Sequence, residues 1–248
     1  EEVYKSFLDD DEAFRMLLEA RPPVISFHFG LPSAGKIAAD RDAGIVMLAT
    51  ATNLSEARAI ETAGLDGIVA QGIEAGGHRG MFDVSARDER LTSAVLVRLL
   101  VRHTNLAVIA AGGIMDGAGI RAALDLGAVA AQLGTAFILC PESAADAGYR
   151  GSLRSARCGH TRLTTVLSGR PARGVVNRFI DHCEAPGSPL PRAYPVAYDA
   201  AKQLNAAATA KGSPDYAAHW AGQGAPLIRA LPAAQLVDTL VREMQMAR

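Results

Sequence analysis

The segment QGIEAGGHRG, Gln71 to Gly80, brings two adjacent glycines, a carboxylate, an imidazole and a guanidinium into one short loop. It follows directly on a strand-like run. In parallel α/β folds, ligands bind at the carboxyl ends of strands. Gly76 and Gly77 let the backbone approach a ligand or take a positive φ. His78, with an unperturbed pKa of about 6.5, can act as base or hydrogen-bond donor near neutral pH. In isolation a GGH reads as a Gly-rich turn whose histidine caps a helix. At a strand's end, with an acid nearby, it reads as functional.

A second segment, AAGGIMDGAGIRAALDLGAVAAQLGTAF, runs from Ala110 to Phe137. One strand ends in Gly112 and Gly113, a helix follows, and the next strand ends in Gln132, Leu133, Gly134 and Thr135. In a barrel, the loops after the last two strands plus a helix N-terminus form the usual phosphate site. Exposed backbone N–H groups and the positive end of the helix dipole would hold a dianion without a lysine. The hydroxyls of Thr135 or Ser143 could add donors. The plain alternative is tight helix–strand packing; two neighbouring glycine tips sharing one period favour phosphate. The pattern is neither a Walker A motif nor GxGxxG.

Tyr194, Tyr198 and Lys202 fall at i, i+4 and i+8, on one face of a helix that Pro195 would start. Two phenols and an ammonium could floor a pocket for a small anion. Taken alone, the stripe reads as an amphipathic face with a snorkelling lysine. Cys158, His160, His182 and Cys183 do not match zinc spacings. His28 lies inside a strand and reads as a core or pocket-wall histidine, while His103 and His219 have no supporting context. No GxSxG elbow appears.

The elements that must carry these loops follow a βα rhythm. Strand-like runs cover Val24–Phe29, Ile45–Ala51, Gly67–Gly72, Ala107–Gly113 and Ala128–Phe137. Helices are expected over Asp10–Ala20, Ser33–Ala43, from Asn53 to Ala63, Ser93–His103 and Gly117–Leu126. Asn53 with Glu56 reads as a capping box, and Gly64 and Gly127 as stops. The strands are continuous apolar stretches, as parallel strands covered on both faces should be. The fold class is α/β, either doubly wound or part of a (β/α)8 TIM barrel. After Cys140 the rhythm breaks. Ser143–Leu167 reads as helical, Ser168–Pro191 as an excursion or lid, and the chain from Tyr194 as helices interrupted at Ala221–Pro226. Three parts are expected: 1–142 as barrel, 143–225 as a mostly helical substrate or lid domain, and 226–248 as a helix returning to the barrel.

The chain has 248 residues, 25 Lys plus Arg against 26 Asp plus Glu, and aromatics at 5%. A near-neutral balance and few rings argue against a nucleic-acid binder. No apolar run is long enough for a membrane span, and the acidic N-terminus is no signal peptide. Three cysteines without a CxxC point to a reducing compartment, here the cytoplasm. The absent initiator Met suggests a start part-way through a longer product.

SFHFGLP (Ser26–Pro32), AQGIEAGGHRG (Ala70–Gly80), the stretch from Ala110 to Ser143 and AGQG (Ala221–Gly224) together resemble the class I nitronate monooxygenases, formerly 2-nitropropane dioxygenases. The resemblance covers most of the chain. It implies a (β/α)8 barrel with noncovalent FMN and an added helical substrate domain. Gln71, Gly76, Gly112, Gly113 and Gln132 to Thr135 match cofactor-contacting positions, and His78 matches the active-site histidine. Tyr4, Tyr149, Tyr194, Tyr198 and Lys202 match residues lining the substrate cavity. It also implies about three further βα units ahead of residue 1, so this chain is expected to lack the barrel's first units.

The activity so implied is oxidation of alkyl nitronates, propionate 3-nitronate foremost, by FMN and O2, giving an aldehyde and nitrite or nitrate. The flavin would carry the redox chemistry. His78 would hold the nitro oxygens and, for a neutral nitroalkane, remove the α-proton. Lys202 and the tyrosines would position the substrate's carboxylate. The nearest alternative is an FMN-dependent NADH enoyl-ACP reductase, which shares the barrel and a similar GGH loop. An IMP dehydrogenase-like barrel lacks its Cys-bearing loop here, and a non-catalytic metabolite-binding barrel is the alternative of another class. The sequence leaves monomer and homodimer open.

Overall fold

The computed structural model describes residues 6–247. Helix α1 (Asp11–Ala20) leads into β1 (Val24–Phe27), α2 (Ala34–Asp42), β2 (Val46–Ala51), α3 (Leu54–Ala63) and β3 (Gly67–Gln71). A two-residue strand β4 (Gly77–His78) precedes α4 (Ser93–His103), β5 (Ala107–Ala111), α5 (Gly117–Asp125) and β6 (Ala130–Gln132). Strands β1, β2, β3, β5 and β6 lie side by side in that order, and every pair is parallel. Five parallel βα repeats in sequential order make the curved wall of a (β/α)8 barrel.

Local chemistry sets the element ends. Ser33, Asn53, Thr92 and Asp116 each accept the third helical N–H of the helix they precede. Such caps contribute about 1 kcal/mol each. Gly64, at φ +79°, closes α3 in a conformation only glycine takes cheaply. Strand β3 is buried at all five positions. Against it pack Ala57 and Ile60 of α3 and Leu96, Val97 and Leu100 of α4, the apolar faces that the helical spacing anticipates.

The capping box is only half formed. Asn53 caps the Glu56 N–H at 2.9 Å, but the Glu56 carboxylate does not return to Asn53. It accepts instead from the Thr52 N–H and hydroxyl at 2.6 and 2.7 Å, and from the Phe82 N–H at 2.9 Å. A nearly buried carboxylate takes whichever donors saturate it best. Here that choice ties the end of β2 to the chain just beyond His78.

Beyond β6 the chain forms α6 (Ala147–Arg154), β7 (Thr161–Thr164), β8 (Ala172–Val175), α7 (Arg178–Cys183), α8 (Val196–Thr209) and α9 (Ala233–Met246). Strands β4, β8 and β7 form a second, antiparallel sheet with β8 in the middle. Several expectations are corrected here. The stretch 143–167 is not one helix: after α6 and a 3-10 turn it becomes β7. The stretch 168–191 carries a strand, β8, that is buried at every position. The part 143–225 is therefore not mostly helical at its centre. The reason is Arg173, whose guanidinium is sealed by donating to the Ile73 carbonyl at 3.1 Å and the Thr161 hydroxyl at 3.3 Å.

Three boundaries also move. The first strand stops at Phe27, because Phe29 turns away at φ +74°. The last parallel strand is only Ala130–Gln132 and then enters a 3-10 turn at Thr135–Phe137. Leu133 and Phe137, which made this stretch read as a longer strand, pack on the cluster containing Leu236 and Leu240 of α9. The interruption before α9 runs over 210–232, wider than the Gly/Pro signal suggests. Helix α9 lies on α5, and Glu243 accepts the Gly117 N–H at 3.0 Å. A Cβ on Gly117 would fall 2.2 Å from the Met244 nitrogen, so the two helices touch through backbone.

Candidate active site

The carboxyl tips of the parallel strands surround a cleft of about 140 Å³. His28 reaches it from beyond β1, Thr50 from β2 and Gln71 from β3. Ala111 ends β5 and Gly112 and Gly113 follow it, while Gln132 ends β6 and Gly134 and Thr135 lie beyond it. Gly222 closes the side opposite. Gly112 and Gly113 take φ values of +116° and +73°, which turn the chain sharply off β5.

Among the described residues, the N–H groups of Gly112, Gly113, Gly134 and Thr135 donate to no protein acceptor. The Thr135 hydroxyl oxygen accepts from the Gly222 N–H at 3.0 Å, so its proton remains to be donated. The helix dipole adds less than the sequence suggests. The first turn of α5 is already capped by Asp116, on the Gly119 N–H at 2.8 Å, and by Glu243. The turn after Gly134 is a single 3-10 turn. Donors for an anion thus come from the loop amides. Leu133 does not line the cleft, and the Ser143 hydroxyl accepts from Ala145 instead.

His78 does not line this cleft itself but is tied to two residues that do, Gln71 and His28. Gly77, at φ +74°, bends the chain into β4, where Gly77 pairs with Arg173 and His78 with Ala172. The histidine is therefore part of a sheet and caps no helix. Its carbonyl accepts from Gln71 Nε2 at 3.0 Å and lies 3.2 Å from His28 Nε2. A carbonyl only accepts, so His28 carries its proton on Nε2 and takes the Thr50 hydroxyl at Nδ1, 3.0 Å away. Gln71 Oε1 accepts the Gly80 N–H at 2.8 Å. Most of the Gln71 carboxamide thus orders the loop, although the residue lines the cleft. Arg79 braces the same loop through two 3.0 Å bonds to Asp88 and one to the Gln71 carbonyl.

Gly76 lines the cleft and also makes room within the fold. A Cβ there would lie 2.5 Å from the Gly222 nitrogen and 2.6 Å from the Ala221 carbonyl carbon. The close approach is to the chain's own backbone.

Four aromatic rings enclose the His78 imidazole. Centroid distances are 5.7 Å to Phe29, 5.5 Å to Tyr194, 5.7 Å to Tyr198 and 5.2 Å to Trp220. Nε2 lies 2.9 Å from the Ser168 hydroxyl. Burial lowers the His78 pKa to about 4, helped by His28 and the Arg170 charge. The ring is neutral at pH 7. The Arg170 guanidinium stacks 3.9 Å above Phe29 and donates to the Met81 carbonyl.

Of the expected substrate residues, Tyr194 and Tyr198 meet at His78, and the Lys202 ammonium lies 4.6 Å over the Tyr198 ring. Pro195 is the residue before α8 rather than its first. Tyr149 sits one layer back. Its ring stacks on His219 at 4.9 Å and its hydroxyl donates to the Trp220 carbonyl. Burial raises its pKa, so it remains a neutral donor. Tyr4 lies outside the described residues. Sequence reasoning did not single out Phe29, Ser168, Arg170 or Trp220, and it set His28 aside. For His28 a signal was present in its place at the tip of an apolar run. For the others, arrival at the site depends on long-range folding.

The family model described as nitronate monooxygenase matches residues 4–243. The nitronate monooxygenase of Paraburkholderia phytofirmans is 57% identical over 244 residues, covering 98% of this chain and 67% of the relative. That of Pseudomonas aeruginosa is 54% identical over 243 residues, covering 98% and 69%. The chain thus spans about two thirds of these relatives' length. Among solved structures, nitroalkane oxidase from Streptomyces ansochromogenes superposes with a TM-score of 0.90 at 42% identity, covering 97% of this chain and 70% of that one. FabK from Thermotoga maritima gives 0.78 at 29% identity, covering 98% and 74%.

Proposed function

The chain belongs to the nitronate monooxygenase family, and on that premise we propose that it holds FMN at the strand tips and uses O2 to oxidise alkyl nitronates. Propionate 3-nitronate is the foremost substrate, and an aldehyde with nitrite or nitrate are the products. One observation carries this reading: a neutral imidazole, walled by four aromatic rings, belongs to a residue whose carbonyl is held by Gln71 and His28, and these two line a cleft whose glycine tips present unpaired amides.

The residues present fit the cofactor. Gly112, Gly113, Gly134 and Thr135 line one cleft and leave their N–H groups unpaired, the kind of donor set that a phosphate dianion requires. When bound, FMN supplies the electron acceptor that no side chain here provides, and passes the electrons to O2. The protein's part is placement and charge. Phe29, Tyr194, Tyr198 and Trp220 exclude water around His78, which strengthens every electrostatic contact inside. Arg170 and Lys202 place positive charge on either side of this cage, suiting an anionic nitronate that carries a carboxylate. For a neutral nitroalkane, the uncharged His78 removes the α-proton. No helix among the described residues is long and apolar enough to cross a membrane, and the three unpaired cysteines suit a cytoplasmic setting.

The test is direct. Protein expressed from the natural gene should be yellow, release FMN on denaturation, and consume O2 with propionate 3-nitronate in the absence of NADH. A colourless preparation, or no O2 uptake by FMN-loaded protein, would refute the proposal. Rapid bleaching of the flavin by NADH would favour the enoyl-ACP reductase reading.

A further inference from the structure

The Ser168 side chain is fully buried, and two groups compete for its single proton. One is the Arg170 carbonyl, 3.0 Å from Oγ; the other is His78 Nε2, at 2.9 Å. The Arg170 N–H donates to the same oxygen at 3.4 Å. A carbonyl can only accept, whereas an imidazole nitrogen can donate or accept according to its tautomer. If the hydroxyl gave its proton to His78, two oxygens would face each other through lone pairs at 3.0 Å, away from water. If it gives the proton to Arg170, all three contacts are satisfied, and Nε2 must then carry the hydrogen.

Resting on the reading of His78 as the active-site imidazole, we propose that Ser168 is a positioning residue that fixes His78 in the neutral Nε2–H tautomer, so that the ring offers the substrate a lone pair at Nδ1. Nδ1 has no partner among the described residues, and it is not among their sealed, unpartnered polar atoms. Turning the ring over would put carbon where Nε2 stands and lose the Ser168 bond, while the main chain that carries the ring is held at the His78 carbonyl by Gln71 and His28. The titratable and charged groups facing the imidazole are His28, Arg170, Tyr194 and Tyr198, and none of them donates to Nδ1.

This assignment gives the site a direction. An Nδ1 lone pair accepts a proton from the α-carbon of a neutral nitroalkane. It donates to an anionic nitro oxygen only after taking up a proton. Holding the nitro oxygens of a nitronate through His78 therefore requires proton uptake on binding.

The test is a long-range ¹H–¹⁵N correlation spectrum of the protein labelled with ¹⁵N-histidine, with His78 assigned by its loss in H78Q. At pH 7, Nε2 should be of protonated, pyrrole type and Nδ1 of pyridine type. Ser168→Ala should average the two nitrogens, and Ser168→Thr, which keeps the hydroxyl, should restore the wild-type pattern. Turnover of a neutral nitroalkane should fall at least about tenfold in Ser168→Ala and recover in Ser168→Thr. A wild-type spectrum with Nδ1 protonated would overturn the proposal whether or not either variant folds. So would an unchanged spectrum in Ser168→Ala. The spectrum needs no turnover, so an inactive protein with the expected pattern would count against the nitronate reading alone.

Discussion

The Gln71 carboxamide holds the His78 loop at two points at once, donating to the His78 carbonyl at 3.0 Å and accepting the Gly80 N–H at 2.8 Å. Gln71→Leu keeps the volume and removes both bonds. The Gly80 N–H is then left without its acceptor, which costs about 1–3 kcal/mol. Urea unfolding should show that loss, and kcat should fall more than KM rises, because the imidazole is displaced while the cage remains.

The low His78 pKa sets a pH signature. Its folded value, about 4, lies below the usual 6.5, so the unfolded chain binds more protons between those limits. Stability is therefore greatest above pH 6.5 and declines as pH falls toward 4, by up to about 3 kcal/mol from this group. Burial depresses His28 and His219 in the same direction. Denaturation midpoints measured from pH 8 to 4 should fall accordingly, and His78→Gln should flatten the slope.

Trp220 is the nearest of the four rings to His78, at 5.2 Å. Trp220→Ala opens the cage to water and removes part of the desolvation. The His78 pKa should then move up toward 6.5, as read by histidine NMR titration. An unchanged pKa would show that the other three rings suffice.

Gly113 sits at φ +73°, and a Cβ there would lie 3.0 Å from the Glu74 Cβ. Gly113→Ala should cost about 1 kcal/mol of backbone strain in the left-handed region. It should also weaken FMN retention about tenfold or more by turning the loop amides aside, as measured by flavin content after dialysis.

The parallel wall was legible in the sequence because two independent signals agreed there. Apolar runs such as Ile68 to Ala70 demanded burial on both faces, and Asn53, Gly64 and Gly127 punctuated the helices between them. The second sheet was not legible. A four-residue strand containing Arg173 and Gly174 carries no hydrophobic pattern, and its Arg173 is satisfied by Thr161, 12 residues away, and by Ile73, 100 residues away. The same divide runs through the candidate site. His78 and the glycine tips were readable because each lies in a local loop with its own composition. Ser168, 90 residues from its partner His78, was not, because serine is common and only tertiary packing gives this one a histidine to hold. Gly76 was singled out for a ligand and does line the cleft, but its second part, making room for Gly222, had no local signal.

That last contact binds distant parts of the chain into one body. Where Gly76 meets Gly222, main chain rests on main chain, with a would-be side chain on either residue falling 2.5 to 2.7 Å from the other strand of the contact. No rotamer stands between them to absorb a shift. A disturbance in the stretch around Gly222 is passed undamped to the neighbour of His78, so a lesion there would be felt as a fault in the chemistry.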